Sequence, residues 1–238
     1  MLSDQKTGTG FGGIVLDAVG TLIEAHPPVA EAYIAVARRQ GVELETDLVR
    51  SRFREFFRKD DLANERGPLA TDEATERRRW QAIVGGVLGD LPDFDRAFDE
   101  LWSHFACPSS WRCFDDVGPI LAELRSRGIP CWIASNFDSR LRDVVAGLEE
   151  LRPMGEHLVI SSEVGYKKPH PAFFDALVAR CGVEAGRLLS VGDDLENDVL
   201  GAMRAGLRAV WIDRGNKADG QNPPRIFDLR EVTRFLEG

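Results

Sequence analysis

Four short polar clusters could do chemistry in this chain of 238 residues. Asp17 closes the apolar run Ile14-Val15-Leu16, and Thr21 follows just after Gly20. Ser135 and Asn136 come after a second apolar run that ends at Ala134. Lys167 and Lys168 precede Pro169, and Asp193, Asp194, Asn197 and Asp198 crowd behind the run Leu188 to Val191. A carboxylate can attack an electrophile and carry a covalent intermediate. Hydroxyls, amides and an ammonium can neutralise an anionic group in transit. Clustered acids ask for a cation, and hard oxygen ligands with room for water suit Mg²⁺. Brought together, these residues would serve transfer of an anionic group, with Mg²⁺ balancing the carboxylates.

The elements between the clusters have to bring them together. From about 25 to 106 the apolar residues recur at helical spacing. Val49, Phe53, Phe56 and Phe57 share a face; so do Trp80, Ile83, Val84, Val87 and Leu88, and again Phe94, Ala97, Phe98, Leu101 and Phe105. These stripes predict the core of a helical bundle. Beyond Pro108 the texture alternates. Strands are expected near 130–134, 158–160, 188–191 and 209–212. Helices are expected near 117–127, 139–148, 172–181 and 196–205, with a possible last helix near 230–236. Strands alternating with helices of this length mean a parallel sheet covered on both faces. The expected architecture is α/β: a Rossmann-like parallel sheet from 1–24 and 107–238, with a helical cap, 25–106, inserted after the first strand. Open sheets of this kind hold ligands at the carboxyl ends of their strands, which is where all four clusters fall.

Composition narrows the partners. Charged residues make up 29% of the chain and hydrophobic ones 43%, which is ordinary for a globular protein. The net charge of −9 argues against nucleic acid or an anionic membrane surface. No apolar run approaches the ~20 residues of a membrane span. The first residues, MLSDQKTGTGFGG, carry no charged-then-apolar signal, so a cytoplasmic protein is expected, monomeric or homodimeric. Cys107, Cys113, Cys131 and Cys181 form no C-x-x-C pair and read as neutral thiols rather than a metal site or disulfides. Gly8, Gly10 and Gly13 spell G-x-G-x-x-G, but ahead of the first strand rather than after one, which is the wrong context for a dinucleotide.

The order and spacing of the clusters resemble the haloacid dehalogenase-like hydrolase superfamily, in the group with a helical cap after the first motif. Asp17-Ala-Val-Gly-Thr21-Leu resembles the first motif, Ile133-Ala-Ser135-Asn136 the second, Gly165-Tyr-Lys-Lys168-Pro169 the third, and Val191-Gly-Asp193-Asp-Leu-Glu-Asn-Asp198 the fourth. The resemblance implies roles. Asp17 would be the nucleophile. The main-chain carbonyl of Val19, with Asp17, Asp193 and Asp198, would hold Mg²⁺, Asp194 being a rival direct ligand. Ser135 and Asn136, with Thr21, would hold the substrate, and Lys168 would neutralise Asp17 and the group being transferred. Plainer roles compete: Asp17 as a turn former, Ser135-Asn136 as a strand end, Lys167-Lys168 as a surface pair, and Asp193 and Asp198 as helix-capping acids. His170 reads as a loop residue, and Glu76-Arg77-Arg78-Arg79 as a solvated helix face.

Val19 departs from the pattern. Phosphatases of the family usually carry an aspartic acid there, which protonates the leaving oxygen and then activates water. Losing such a group removes ~10²–10⁴ in rate. Three readings follow. The first is a phosphatase of a small phosphorylated molecule that prefers leaving groups needing no proton, with Glu24 or His26 as possible substitutes for the acid. The second is a metal-free 2-haloacid dehalogenase using Asp17. The third is a weakly active protein that keeps the fold in order to bind a partner. A phosphonate hydrolase is disfavoured, since no cap lysine for a Schiff base is identifiable.

Overall fold

The computed structural model describes residues 11–65, 69–216 and 223–236; Gly8 and Gly10 lie outside them. The first strand, β1 (Gly13–Leu16), is buried along its whole length. The antiparallel partner strands β2 (Ile23–Ala25) and β3 (Trp111–Cys113) flank an insert of four helices: α1 (Val29–Arg39), α2 (Thr46–Glu65), α3 (Glu73–Leu88) and α4 (Phe94–His104). After β3 come α5 (Val117–Ser126), β4 (Cys131–Ser135), α6 (Arg140–Gly147), β5 (Leu158–Ile160), the single turn α7 (Ser161–Val164) and α8 (Pro171–Cys181). The chain ends with β6 (Leu188–Gly192), the short helix α9 (Gly201–Arg204), β7 (Arg208–Ile212), β8 (Arg225–Ile226) and a run of 3₁₀ turns, Leu229–Phe235.

The six-stranded sheet runs β5-β4-β1-β6-β7-β8, every neighbouring pair parallel. Its strands read as continuous apolar runs because helices cover both faces. Ile14, Leu16, Ile133, Val191, Val210 and Leu124 pack on one side, and Val15, Ala134, Val159, Phe173, Phe174 and Val199 on the other. β1 lies between β4 and β6, and the chain departs in opposite directions from it. That switch point leaves a crevice beyond the carboxyl ends. The register pairs Leu16 with Ile133 and with Val191, so Asp17 emerges beside Ala134 and Gly192, next to Ser135 and Asp193.

The insert has its own core, and its stripes are those read from the sequence. Tyr33, Val36, Val49, Ile83, Val84, Val87, Leu88, Ala97, Phe98 and Leu101 are buried together, with Phe53, Phe56, Phe57 and Trp80 packed against them. Asp72 and Asp93 cap α3 and α4, their carboxylates accepting from the Thr75 and Arg96 amides at 2.7 and 3.1 Å.

Three elements differ from expectation. The β2–β3 ribbon is absent from the sequence reading, because three-residue strands show no periodicity and their partners lie far apart in the chain. The helix expected over 196–205 is not one regular helix. Leu195–Leu200 is a wider π turn, and α9 begins only at Gly201. π turns concentrate where a helix must present a side chain out of its regular path, and this one carries Asp198. The last helix is instead 3₁₀, started by Asp228, which accepts from the Arg230 amide at 2.9 Å. All four cysteines are free. Burial first of all pushes Cys131 up to about 11 and Cys113 and Cys181 up to about 12, so they stay neutral thiols near pH 7. Among the described residues no helix is long and apolar enough to cross a membrane.

Candidate active site

Lys168 organises the site. Its ammonium donates to Asp17 Oδ1 at 2.8 Å, to Asp198 Oδ1 at 2.5 Å and to the Ala134 carbonyl at 2.7 Å. An ammonium has three donors, and all three are used. Its backbone is held as well: the Asn136 carboxamide donates to the Lys168 carbonyl at 2.9 Å and accepts the Lys168 amide at 2.7 Å. The side chain of Asn136 therefore faces the lysine loop and fixes where Lys168 starts from. Ser135, the last residue of β4, is buried.

The acids converge from two strands. One carboxylate oxygen each from Asp17, Asp193 and Asp198 lie within 4.8 Å of one another. Two glycines permit this. A Cβ on Gly20, whose φ is +92°, would stand 2.3 Å from the Asp193 carboxylate, and one on Gly192 would stand 2.2 Å from that of Asp198. Asp194 is engaged elsewhere. Its Oδ1 accepts the amides of Glu196 and Asn197, both at 2.9 Å, and its Oδ2 accepts the Asn197 carboxamide at 2.8 Å. It is the capping acid of this loop. Asp198 is held on both oxygens, by Lys168 and by the Asp194 amide at 3.1 Å. Thr21 is fully buried, and its hydroxyl lies 3.5 Å from Asp193 Oδ1 rather than facing open space.

Val19 occupies the tight turn after β1. The Gly20 amide donates to the Ile23 carbonyl at 2.8 Å, and the Leu22 and Ile23 amides both donate to Ala18, at 2.8 and 2.9 Å. Ala18, Thr21 and Leu22 are buried, whereas the Val19 side chain is 40% exposed. Glu24, on β2, is paired with Arg112 of β3 at 2.6 Å, so its carboxylate is committed to the ribbon.

The charges do not balance. Burial is the largest influence on Asp17 and raises its pKa; the Lys168 charge lowers it, and Asp193 raises it again, leaving it above an ordinary aspartate. Burial and then the charges of Asp198 and Asp194 push Asp193 up to about 6. Burial foremost, against the pull of Lys168, pushes Asp198 up to about 7. Burial by itself would lower Lys168, but Asp17 and Asp198 outweigh it and hold the ammonium charged. Three carboxylates share one ammonium. Hard oxygen donors with excess negative charge are a fit for a divalent cation such as Mg²⁺, and the triad can hold a metal ion.

Lys167 and Lys168 are both buried, which rules out the competing reading of a surface pair, and they meet different acids. Lys167 meets Glu76 of α3 at 2.8 Å. The run 76–79 is not uniformly solvated either. Glu76 is buried, accepts the Thr71 hydroxyl at 2.6 Å and pairs with the largely buried Arg79 at 3.3 Å, while Arg77 and Arg78 face outward to Asp99 and Thr75. One turn earlier Glu73 accepts the Ser139 amide and hydroxyl, both at 2.9 Å, and the Ser162 hydroxyl at 2.5 Å. α3 thus meets the core on the loops after β4 and β5, over the carboxyl edge of the sheet. His170 is the N-cap of α8: its Nδ1 accepts the Ala172 amide at 3.1 Å, and its ring stacks on Tyr166.

The class of fold is thus a parallel α/β sheet with a helical insert after its first strand. Residues 11–206 match the family model for haloacid dehalogenase-like hydrolases, and the chain belongs to that family. Haloacid dehalogenase-like hydrolase domain-containing protein 3 of Mus musculus is 31% identical over 201 residues, which cover 82% of this chain and 79% of that one. Ribulose-1,5-bisphosphate 5-phosphatase of Halopiger xanaduensis is 28% identical over 94% of both chains. The fold also matches a magnesium-bound HAD-hydrolase, YfnB of Bacillus subtilis, with a TM-score of 0.75 and 20% identity over 96% of this chain and all of that one.

Proposed function

We propose that this hydrolase is a Mg²⁺-dependent phosphatase of a small phosphorylated molecule, working through an aspartyl-phosphate on Asp17. The observation that carries this is the Lys168 ammonium set between Asp17 and Asp198, with Asp193 completing an overloaded carboxylate cluster. Asp17, Asp193 and the main-chain carbonyl of Val19 would hold the metal. Asp198, with both oxygens already bonded, would act through water and by fixing Lys168. Bound Mg²⁺ would neutralise the carboxylates and the phosphoryl oxygens. The phosphatase relative supports this reading.

In the first half-reaction an Asp17 oxygen attacks phosphorus and the bond to the leaving oxygen breaks. Lys168 balances the charge of the nucleophile, and Ser135 with the main chain of Asn136 receives the phosphoryl oxygens. In the second half-reaction water attacks phosphorus, the bond from the Asp17 oxygen to phosphorus breaks, and phosphate leaves with the protons of the water, restoring the carboxylate. Val19 can neither donate nor accept a proton. Leaving groups that depart as stable anions, acyl or aryl, therefore react best. A metal-free dehalogenase is disfavoured, because three crowded carboxylates would repel a carboxylate substrate. The helical insert, 25–106, would act as the cap over a core of 1–24 and 107–238.

The test is hydrolysis of acetyl phosphate, p-nitrophenyl phosphate and L-2-chloropropionate with Mg²⁺ and with EDTA. Phosphate release that needs Mg²⁺ and falls by more than ~10⁴-fold in Asp17→Asn is expected. Chloride release indifferent to EDTA would overturn the reading. Val19→Asp should raise turnover of an alkyl phosphate by at least ~10-fold, within the range for a positioned acid; unchanged turnover with intact Mg²⁺ binding would count against the role given to Val19.

A further inference from the structure

One arginine far from the four clusters reaches the nucleophile turn. Arg214, in the segment after β7, donates through Nη2 to the Thr21 carbonyl at 2.7 Å. The same guanidinium grips Asp116 in a fork, Nη1 to Oδ2 at 2.8 Å and Nη2 to Oδ1 at 2.9 Å. Asp116 is buried, and its Oδ2 also accepts the Leu229 amide at 2.7 Å. The guanidinium plane lies over Phe114, 3.9 Å from the ring centre. Phe114 in turn donates its amide to the Leu22 carbonyl at 3.1 Å. Two consecutive carbonyls of the turn, Thr21 and Leu22, are thus held from the strand that follows the insert and from the far end of the sheet.

We propose that Arg214 is a positioning residue for the nucleophile turn, tying the Thr21 carbonyl to Asp116 so that Asp17, the Val19 carbonyl and Asp193 stay in register. The claim rests on the phosphatase reading for its kinetic consequence but not for its binding consequence. Only a planar fork can grip a carboxylate with both nitrogens and still reach a carbonyl; a lysine offers a single ammonium at the end of a flexible stem. The turn's own hydrogen bonds, at Ala18 and Ile23, are local, so they fix its shape but not its place relative to Asp193. Partners that orient metal ligands from behind are typically worth ~10–100-fold in metal affinity or activity.

The experiment compares Arg214→Lys and Arg214→Met with wild type and with Val232→Ala. Val232 is buried in the same core as Leu229 and offers no polar group to the turn or to the acids. Two quantities are read: Mg²⁺ affinity, from the dependence of thermal unfolding on Mg²⁺ concentration, and kcat and KM on acetyl phosphate. Both Arg214 variants should bind Mg²⁺ ~10-fold more weakly and lose kcat with KM little changed, while Val232→Ala loses thermal stability and keeps wild-type Mg²⁺ affinity. Wild-type affinity in Arg214→Lys, or an equal loss in Val232→Ala, would overturn the proposal. Wild type that binds Mg²⁺ but releases no phosphate would sink the phosphatase reading alone, and the affinities would still decide on Arg214. Wild type that binds no Mg²⁺ would overturn both.

Discussion

Lys167 and Lys168 are adjacent, both buried, and set in surroundings of opposite balance. Lys168 stands among Asp17 and Asp198 with Asp193 close by, so acids outnumber the cation. Lys167 stands at the seam between insert and core, where both it and Arg79 pair with Glu76. The acids answer accordingly. Burial alone would raise Glu76, but Lys167 and then Arg79 overcome it, and its pKa falls below the usual value. Asp17, Asp193 and Asp198 are all raised. Burying charge is tolerable when it is paired and costly when it is not. At the seam the cations hold the acid ionised; at the site the carboxylates carry the excess charge, which a divalent cation would offset.

The sharpest way to break this contrast is Lys168→Met. It strips the counter-charge from an already overloaded cluster. It should cost about 3 kcal/mol or more and lower Tm by roughly 6–12 °C. Phosphate release should fall by at least ~10²-fold. A variant with wild-type Tm would mean that the acids simply take up protons and that the ammonium is not structural.

Glu76→Gln should do less and do it differently. It replaces the carboxylate that Lys167 and Arg79 meet by an amide, a loss of about 1–2 kcal/mol and roughly 2–8 °C in Tm. The Mg²⁺-induced rise in Tm should survive. If that rise disappears as well, seam and site are one network and the contrast fails. The pH response is also distinct. A lowered carboxylate stabilises above its unfolded pKa of about 4.5, and that support is lost as pH falls through the folded value.

The smallest change is Asp193→Asn, and its sign is the informative part. A raised acid binds more protons folded than unfolded between its unfolded pKa, 3.8, and its folded one, about 6 for Asp193 and about 7 for Asp198. Metal-free protein therefore gains stability as pH falls through that window and loses it as pH rises. Mg²⁺ favours the ionised forms, so the gap in Tm with and without Mg²⁺ should close between pH 7.5 and pH 5. Asp193→Asn should raise the metal-free Tm at pH 7.5 by roughly 1–3 °C, because the side chain is exposed and its charge screened, and should abolish the response to Mg²⁺. A metal-free Tm that falls would show that Asp193 is not repelled by its neighbours.

Much of the fold was legible because burial leaves a period in the chain. Ile14 to Leu16 and Leu188 to Val191 read as strands, and the Phe53, Ile83 and Phe98 faces read as helices packing on one another. The candidate site was legible through chemistry at turns: Asp17, Ser135 and Asp193 each come at the end of an apolar run, Lys168 lies in the loop that follows another, and parallel topology sends every such end to one edge. The tertiary structure decided what two residues far apart do to each other. It turned Asn136 to the Lys168 backbone, engaged Asp194 as a cap and left Asp193 free of it, and separated the destinations of two neighbouring lysines. It also brought Arg214 and Asp116 to the nucleophile turn, although neither carries a local pattern. Periodicity and turn chemistry are short-range and written in the chain. The partner of a buried charge is set by packing across the sheet, where sequence separation carries no information.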